Sequence, residues 1–334
     1  MQSILPRIKL LRYRVFLSVT SAGVHLRQGT LAELSWLLGE SIRERVAQGG
    51  ETRRWRRAVT PWEESGWVRA VMGSRRRFPV WPEIRWPVDT IILFLPRKRF
   101  YGQGELLSFE IKLMGEHADH SFFLEYILPA LESLGYTRVP WRKRASYLLW
   151  GHFDVRHVYV ARGLRWEPLV QDGEADLRAR PQPDQWMDGW PLEPPPGRSF
   201  SAIRWTRPFV TEDMVSRARP AKPVPPTLST LLAASVERLA GLLTAGDVAA
   251  LWQELSPDEQ ADLMDAVEQA RSVAVSRHTL QAKRRLRGAP VNLEGEQAFA
   301  EQIPPAIIPY LELGSILHIG RYLHFGYGTF RLLE

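Results

Sequence analysis

Apolar and polar positions alternate over residues 10–20 (LLRYRVFLSVT), the period of a half-buried strand. The period then lengthens. Over 30–46, Leu31, Leu34, Leu37, Leu38, Ile42 and Val46 recur at helical spacing with charges between them, which predicts an amphipathic helix. A short apolar strand follows at 90–95, ended by Pro96. The pattern resumes with a strand over 106–114, a helix over 121–134 and a longer strand or hairpin over 145–162. Strand, helix and strand thus recur, predicting two related α+β units instead of one large sheet.

Between and after these elements the chain reads differently. Residues 48–86 are basic, tryptophan-rich and irregular, and 181–197 and 220–226 are proline-punctuated loops. A helix is predicted over 227–242. Another starts at Ser256-Pro257-Asp258-Glu259, where Ser can cap, Pro takes the first helical position and Glu closes the capping box. That helix runs to about Val273 and is acidic on its polar face, as expected of a packed insertion. Residues 276–288 then turn basic, with Arg277, Lys283, Arg284, Arg285 and Arg287.

Composition narrows the classes. A length of 334 residues predicts about two domains, and 45% hydrophobic content suffices for a substantial core. The net charge of +7 favours an acidic partner, nucleic acid or a membrane surface. No run of 18 apolar residues predicts a membrane span, and the N-terminal pattern is not that of a secretory signal. The absence of cysteine excludes disulfides, thiolate metal sites and cysteine nucleophiles, and is compatible with a cytoplasmic location.

The chemistry concentrates near the C-terminus. Gly314, Gly320, Gly326 and Gly328 sit among apolar and aromatic residues, with His318, Arg321 and His324 between them. Glycine weakens a strand unless something needs bare backbone, and backbone N–H groups beside a cation suit a phosphate. His318 could exchange a proton with a ribose hydroxyl, or could fasten the loop. His25 lies in the loop between the first strand and the first helix, where reactive groups are often displayed and where a histidine can equally cap the helix. Arg53, Arg54, Arg56 and Arg57 surround Trp55, pairing phosphate neutralisation with a ring on which a base could stack; the alternative is a solvated face whose tryptophan belongs to the core. His117 and His120 have part of a metal-site spacing, but Gly115–His120 reads better as a cap for the helix at Ser121, and no metal is expected.

Together these residues resemble the CRISPR-associated endoribonucleases of the RAMP superfamily, which process precursor guide RNA. The segment LELGSILHIGRYLHFGYGTFRL resembles the family's glycine-rich loop, a Gly–x5–Gly stretch followed by an aromatic-Gly-x-Gly ending. YGQGELLSFEIKLMG at 101–115 resembles the strand opening the second half, and 122–135 the helix after it. The resemblance implies tandem ferredoxin-like (RRM-like) domains, placed at 1–100 and 101–334, with a helical insertion around 243–273 and the glycine-rich loop at 314–328. It implies CRISPR repeat RNA or guide RNA as partner, other CRISPR effector subunits beside it, and no cofactor. It also implies metal-independent cleavage by the ribose 2′-OH, leaving a 2′,3′-cyclic phosphate. His25 becomes the first catalytic candidate and His318 the second. RNA contacts are expected at Gly314, Gly320, Arg321, Gly326, Gly328, Lys283, Arg284, Arg285, Arg53, Arg54 and Arg56. The alternative within the superfamily is a non-catalytic subunit that holds guide RNA in an effector complex.

Overall fold

The computed structural model describes residues 3–26, 30–47, 49–64, 85–136, 149–190, 198–210, 224–283 and 292–334. Arg284, Arg285, Arg287, Arg27 and the arginines at 75–77 lie outside them.

Two compact units emerge, one from Lys9–Asp188 and one from Gly189 to the C-terminus together with Met1–Ile8. The first contains β1 (Leu10–Val19), β2 (Gly23–His25), α1 (Thr30–Arg45), α2 (Gly50–Glu64), β3 (Thr90–Phe94), β4 (Phe100–Gly102) and β5 (Leu106–Met114). A helix follows in three parts, α3 (His120–Phe122), a π segment (Phe123–Ile127) and α4 (Leu128–Tyr136). β6 (Phe153–Arg162), β7 (Arg165–Gln171) and β8 (Glu174–Ala175) complete it. The sheet order is β3-β5-β1-β6-β7-β8, with antiparallel neighbours throughout.

Taken as β1-α1-β3-β5-α4-β6, this is a βαββαβ unit whose sheet runs second, third, first, fourth. The second unit repeats it. β9 (Ala202–Trp205), α5 (Leu228–Leu243), α6 (Val248–Glu254), α7 (Pro257–Ser272), β10 (Val275–His278), β11 (Gln281–Lys283), β12 (Asn292–Glu294), β13 (Glu296–Phe299), α8 (Ile308–Leu317) and β14 (Phe330–Leu333) give the order β10-β13-β9-β14. The fold is α+β, two ferredoxin-like units in tandem.

The boundary expected at residue 100 falls inside the first unit, between two strands of its main sheet, β3 and β5. β5 does not open the second unit: it pairs with β1 from Leu10↔Met114 to Ser18↔Leu106. The physical reason is that strand pairing is long-range, and periodicity along the chain carries no partner information. Between the first helix and the second strand of the second unit stand α6 and α7. Ser256 caps α7, with the reciprocal Glu259 bond of a capping box.

The first core forms on the face of the sheet that carries the helices. Tyr13, Val15 and Leu17 of β1, Phe109, Ile111 and Leu113 of β5, and Val158 and Val160 of β6 are buried there. Burying each such side chain is worth about 1.5–3 kcal/mol. Tyr13 stacks on Phe123 with centroids 3.7 Å apart, and its hydroxyl lies 3.0 Å from His120 Nδ1. Among the described residues no single helix is long and apolar enough to cross a membrane; α5 and α6 pass that test only jointly, across an 81° bend.

Candidate nucleic-acid interface

After β1 the chain turns and runs back as β2 against β4, pairing Gly23↔Gly102, Val24↔Tyr101 and His25↔Phe100. Alternation sorts these residues. Val24 and Tyr101 turn inward and are buried, which puts His25 and Phe100 on the outward side. The Phe100 ring, 54% exposed, lies across Gly23, where a Cβ would come within 2.5 Å of Cζ. The Leu26 N–H donates to the Arg99 carbonyl at 2.7 Å and extends the ladder. Arg97, Lys98 and Arg99 are exposed on the approach to β4. Glu105 accepts from Lys98 and from the Gly102 N–H, and these bonds hold its carboxyl below the ordinary carboxylate range. Of the eight histidines only His25 and His278 are exposed. An outward imidazole thus stands next to an outward aromatic ring on a strand pair approached by three cations. A base can stack on the ring, the cations attract phosphate, and the imidazole can accept or give a proton. Phe100 and Arg97–Arg99 were missed from the sequence, although an Arg-Lys-Arg-Phe run following proline was there to read.

The glycine-rich segment is built differently from the expected cradle. Gly314 lies inside α8, where a Cβ would meet Ser235 Oγ of α5 at 2.5 Å; its bareness lets two helices approach. Gly320 has φ +87°, and a Cβ there would lie 2.6 Å from the Val210 carbonyl oxygen. Gly328, at φ +77°, would overlap the Ile319 carbonyl. The amides of Ile319, Arg321 and Gly328 donate to Gly328, Val210 and Pro208 carbonyls. Gly326 and Gly328 are buried. The backbone that needed bare glycine is the protein's own. Gly320 and Arg321 are partly exposed and remain able to meet a ligand.

His318 follows the same correction. Its ring is wholly buried, and Nδ1 lies 2.8 Å from the Tyr327 carbonyl oxygen. A ring without exposure does not reach a phosphodiester, so the fastening role applies and the catalytic one does not. His324 is also buried.

The segment containing Arg53–Arg57 is not irregular. It is α2, an amphipathic helix that buries Trp55, Val59 and Trp62 at i, i+4, i+7 spacing. Trp55 has no exposure, so no base stacks on it. Arg53, Arg54, Arg56 and Arg57 are exposed. Arg54 pairs with Glu51 at 2.7 Å and donates to the Pro87 carbonyl. Arg53, Arg56 and Arg57 share one face. Lys283 ends β11, which pairs with β12 in a two-stranded ribbon; Arg284 and Arg285 continue beyond the described residues.

The paired histidines hold no metal geometry. His117 Nδ1 accepts from the Asp89 N–H at 3.2 Å, and Asp119 caps the helix through the Ser121 N–H at 2.8 Å. Burial, and then Arg180, push His120 below its usual pKa. Among the described residues no group of three potential ligands could hold a metal ion.

Solved structures share this architecture. Over 99% of its length the chain matches a chain of a partial Cas6-RT-Cas1–Cas2 complex, with TM-score 0.54 and 13% identity, spanning 47% of that chain. A chain of the Cas6-RT-Cas1–Cas2 complex matches equally well, with 29% of it spanned. Other solved structures similar to this chain include a CRISPR-associated protein Cas6 and a RAMP protein binding different RNA substrates. A Cas6 product complex gives TM-score 0.47 at 11% identity, over 97% of this chain and 99% of that one. The chain therefore spans less than half the length of the first two chains it matches. No family model matches, and no curated protein does.

Proposed function

We propose that this protein binds CRISPR repeat RNA and cuts it to yield guide RNA, working alongside other CRISPR subunits. The observation that carries the reading is His25. It is an exposed imidazole at the end of β2, the short strand between β1 and α1 of a tandem ferredoxin-like fold, beside exposed Phe100 and the Arg97–Arg99 run. The likeness to chains of Cas6-containing complexes supports the substrate class by analogy of fold.

In this reading His25 takes the proton of the ribose 2′-OH at the scissile nucleotide. The freed oxygen attacks the adjacent phosphorus, the bond to the 5′-oxygen breaks, and that oxygen takes up a proton. The products are a 2′,3′-cyclic phosphate and a 5′-OH. Nearby cations offset the charge on the crowded phosphorane, and fixing the RNA in line supplies further acceleration.

The test is incubation with repeat RNA in EDTA, followed by end-group analysis, beside a substrate carrying a single 2′-deoxy residue at the cut. Cyclic-phosphate product from the first and bound but intact RNA from the second support the reading. Tight binding with both substrates intact supports instead a non-catalytic guide-holding subunit.

A further inference from the structure

The face of the first sheet opposite the helices carries a second, unassigned group of rings. On β1 the alternate positions Arg12, Arg14, Phe16 and Ser18 turn away from the core and are partly exposed. Register puts Arg14 opposite Tyr159 and Phe16 opposite His157 of β6; Trp166 of β7 pairs with Ala161 on the same side. Phe16 meets Tyr159 edge-on at 5.7 Å and His157 at 6.4 Å. The Arg14 guanidinium lies over Trp166, 4.1 Å from the ring centre, with Arg12 at 5.3 Å. Phe16, His157, Tyr159 and Trp166 all keep partial exposure. Toward β5 and β3 the same face closes, with Glu110, Lys112 and Ile91 buried, so the open area belongs to β1, β6 and β7.

An antiparallel sheet with helices on one side ordinarily presents polar side chains on the other. Four rings and two arginines there need a different reason. Ring faces one strand apart can stack successive bases, and guanidinium groups beside them meet the phosphates between those bases. A protein partner would equally cover rings, but the arginines and the chain's excess of 44 basic over 37 acidic residues favour a polyanion.

We propose that the β1–β6–β7 face is a stacking platform for unpaired RNA bases, separate from the His25 strand pair, with Phe16 and Tyr159 as its central rings and Arg12 and Arg14 on the backbone. This rests on the reading that the protein binds RNA. It adds a second contact area, for single-stranded nucleotides away from the cut.

The experiment measures binding of the full chain to an unstructured repeat-derived oligonucleotide and to a closed hairpin of the same composition. Phe16→Leu with Tyr159→Leu keeps apolar volume and removes the ring faces. The expected result is single-strand affinity weakened by about tenfold or more, less change for the hairpin, an unaltered melting temperature, and recovery in Phe16→Tyr. Unchanged single-strand affinity in a folded double variant overturns the platform and leaves the RNA reading standing. Failure of the wild type to bind either RNA overturns that reading itself. Should the double variant not fold, photocrosslinking of wild type to 5-iodouridine RNA decides: adducts on Phe16, Tyr159 or Trp166 support the platform, and adducts confined to other residues contradict it.

Discussion

His318 Nδ1 lies 2.8 Å from the Tyr327 carbonyl oxygen, a bond made by a residue whose own φ is +62°. It ties the end of α8 to the segment just before β14 across nine residues, in a pocket closed to solvent. A side chain held this way sets loop shape, and its removal reads out as stability.

His318→Ala should accordingly lower stability by about 1–3 kcal/mol, from the unsatisfied carbonyl and the lost packing, visible as a reduced urea midpoint. Single-turnover cleavage by the folded fraction should change little. A large loss of chemistry with unchanged stability would contradict the fastening role.

Gly328→Ala should be worse. A Cβ there overlaps the Ile319 carbonyl at a backbone angle that L-residues rarely adopt, so we expect a loss of more than 2 kcal/mol. Gly49→Ala is a matched control, at φ +113° with open space around its Cβ position; it should pay for strain alone. Thermal unfolding of both variants checks the difference.

On α2 the arginines and the tryptophan should separate cleanly. Arg53→Gln with Arg56→Gln leaves the core alone and should weaken RNA binding, reducing the slope of log affinity against log salt by about 1–2. Trp55→Ala should instead cost about 3–5 kcal/mol of stability. Salt titrations of binding and chemical unfolding distinguish them.

Glu110 supplies a pH test. Burial pushes its carboxyl up, but Arg12, 2.7 Å away, together with Lys112, outweighs burial and holds it below the ordinary carboxylate range. Its folded pKa being depressed, the stabilisation is complete above the unfolded value and is lost as pH falls through the folded one. Glu110→Gln should therefore cost about 3 kcal/mol at pH 7, the low end for a broken buried pair because Arg12 keeps some water contact. The gap from wild type should narrow between neutral pH and an acid pH below that depressed value. Urea unfolding at both pH values measures it.

Local structure was legible where one local signal dominates a segment. The alternation at 10–20 became β1, the stretch 106–114 became β5 without adjustment, and Ser256-Pro-Asp-Glu capped α7 as the residue types require. α2 was concealed because arginines dominate its composition, although Trp55, Val59 and Trp62 already marked a helical stripe. Pairing was not legible. That β5 returns to β1 depends on contacts nearly a hundred residues apart, and so the unit boundary moved to residue 188. Gly320 and Gly328 are places of close approach. What approaches is the chain's own Val210 and Ile319 carbonyls, and no sequence pattern distinguishes those from a phosphate. His25 stood out by position, but that Phe100 stands opposite it follows only from the pairing of β2 and β4.

The most direct test of the central proposal is single-turnover cleavage of repeat RNA in EDTA by wild type and His25→Ala, at matched binding saturation. The account predicts a cyclic-phosphate product from wild type, and a rate lower by about 10²–10⁴-fold in the variant with RNA affinity preserved. Equal rates for the two proteins would contradict it.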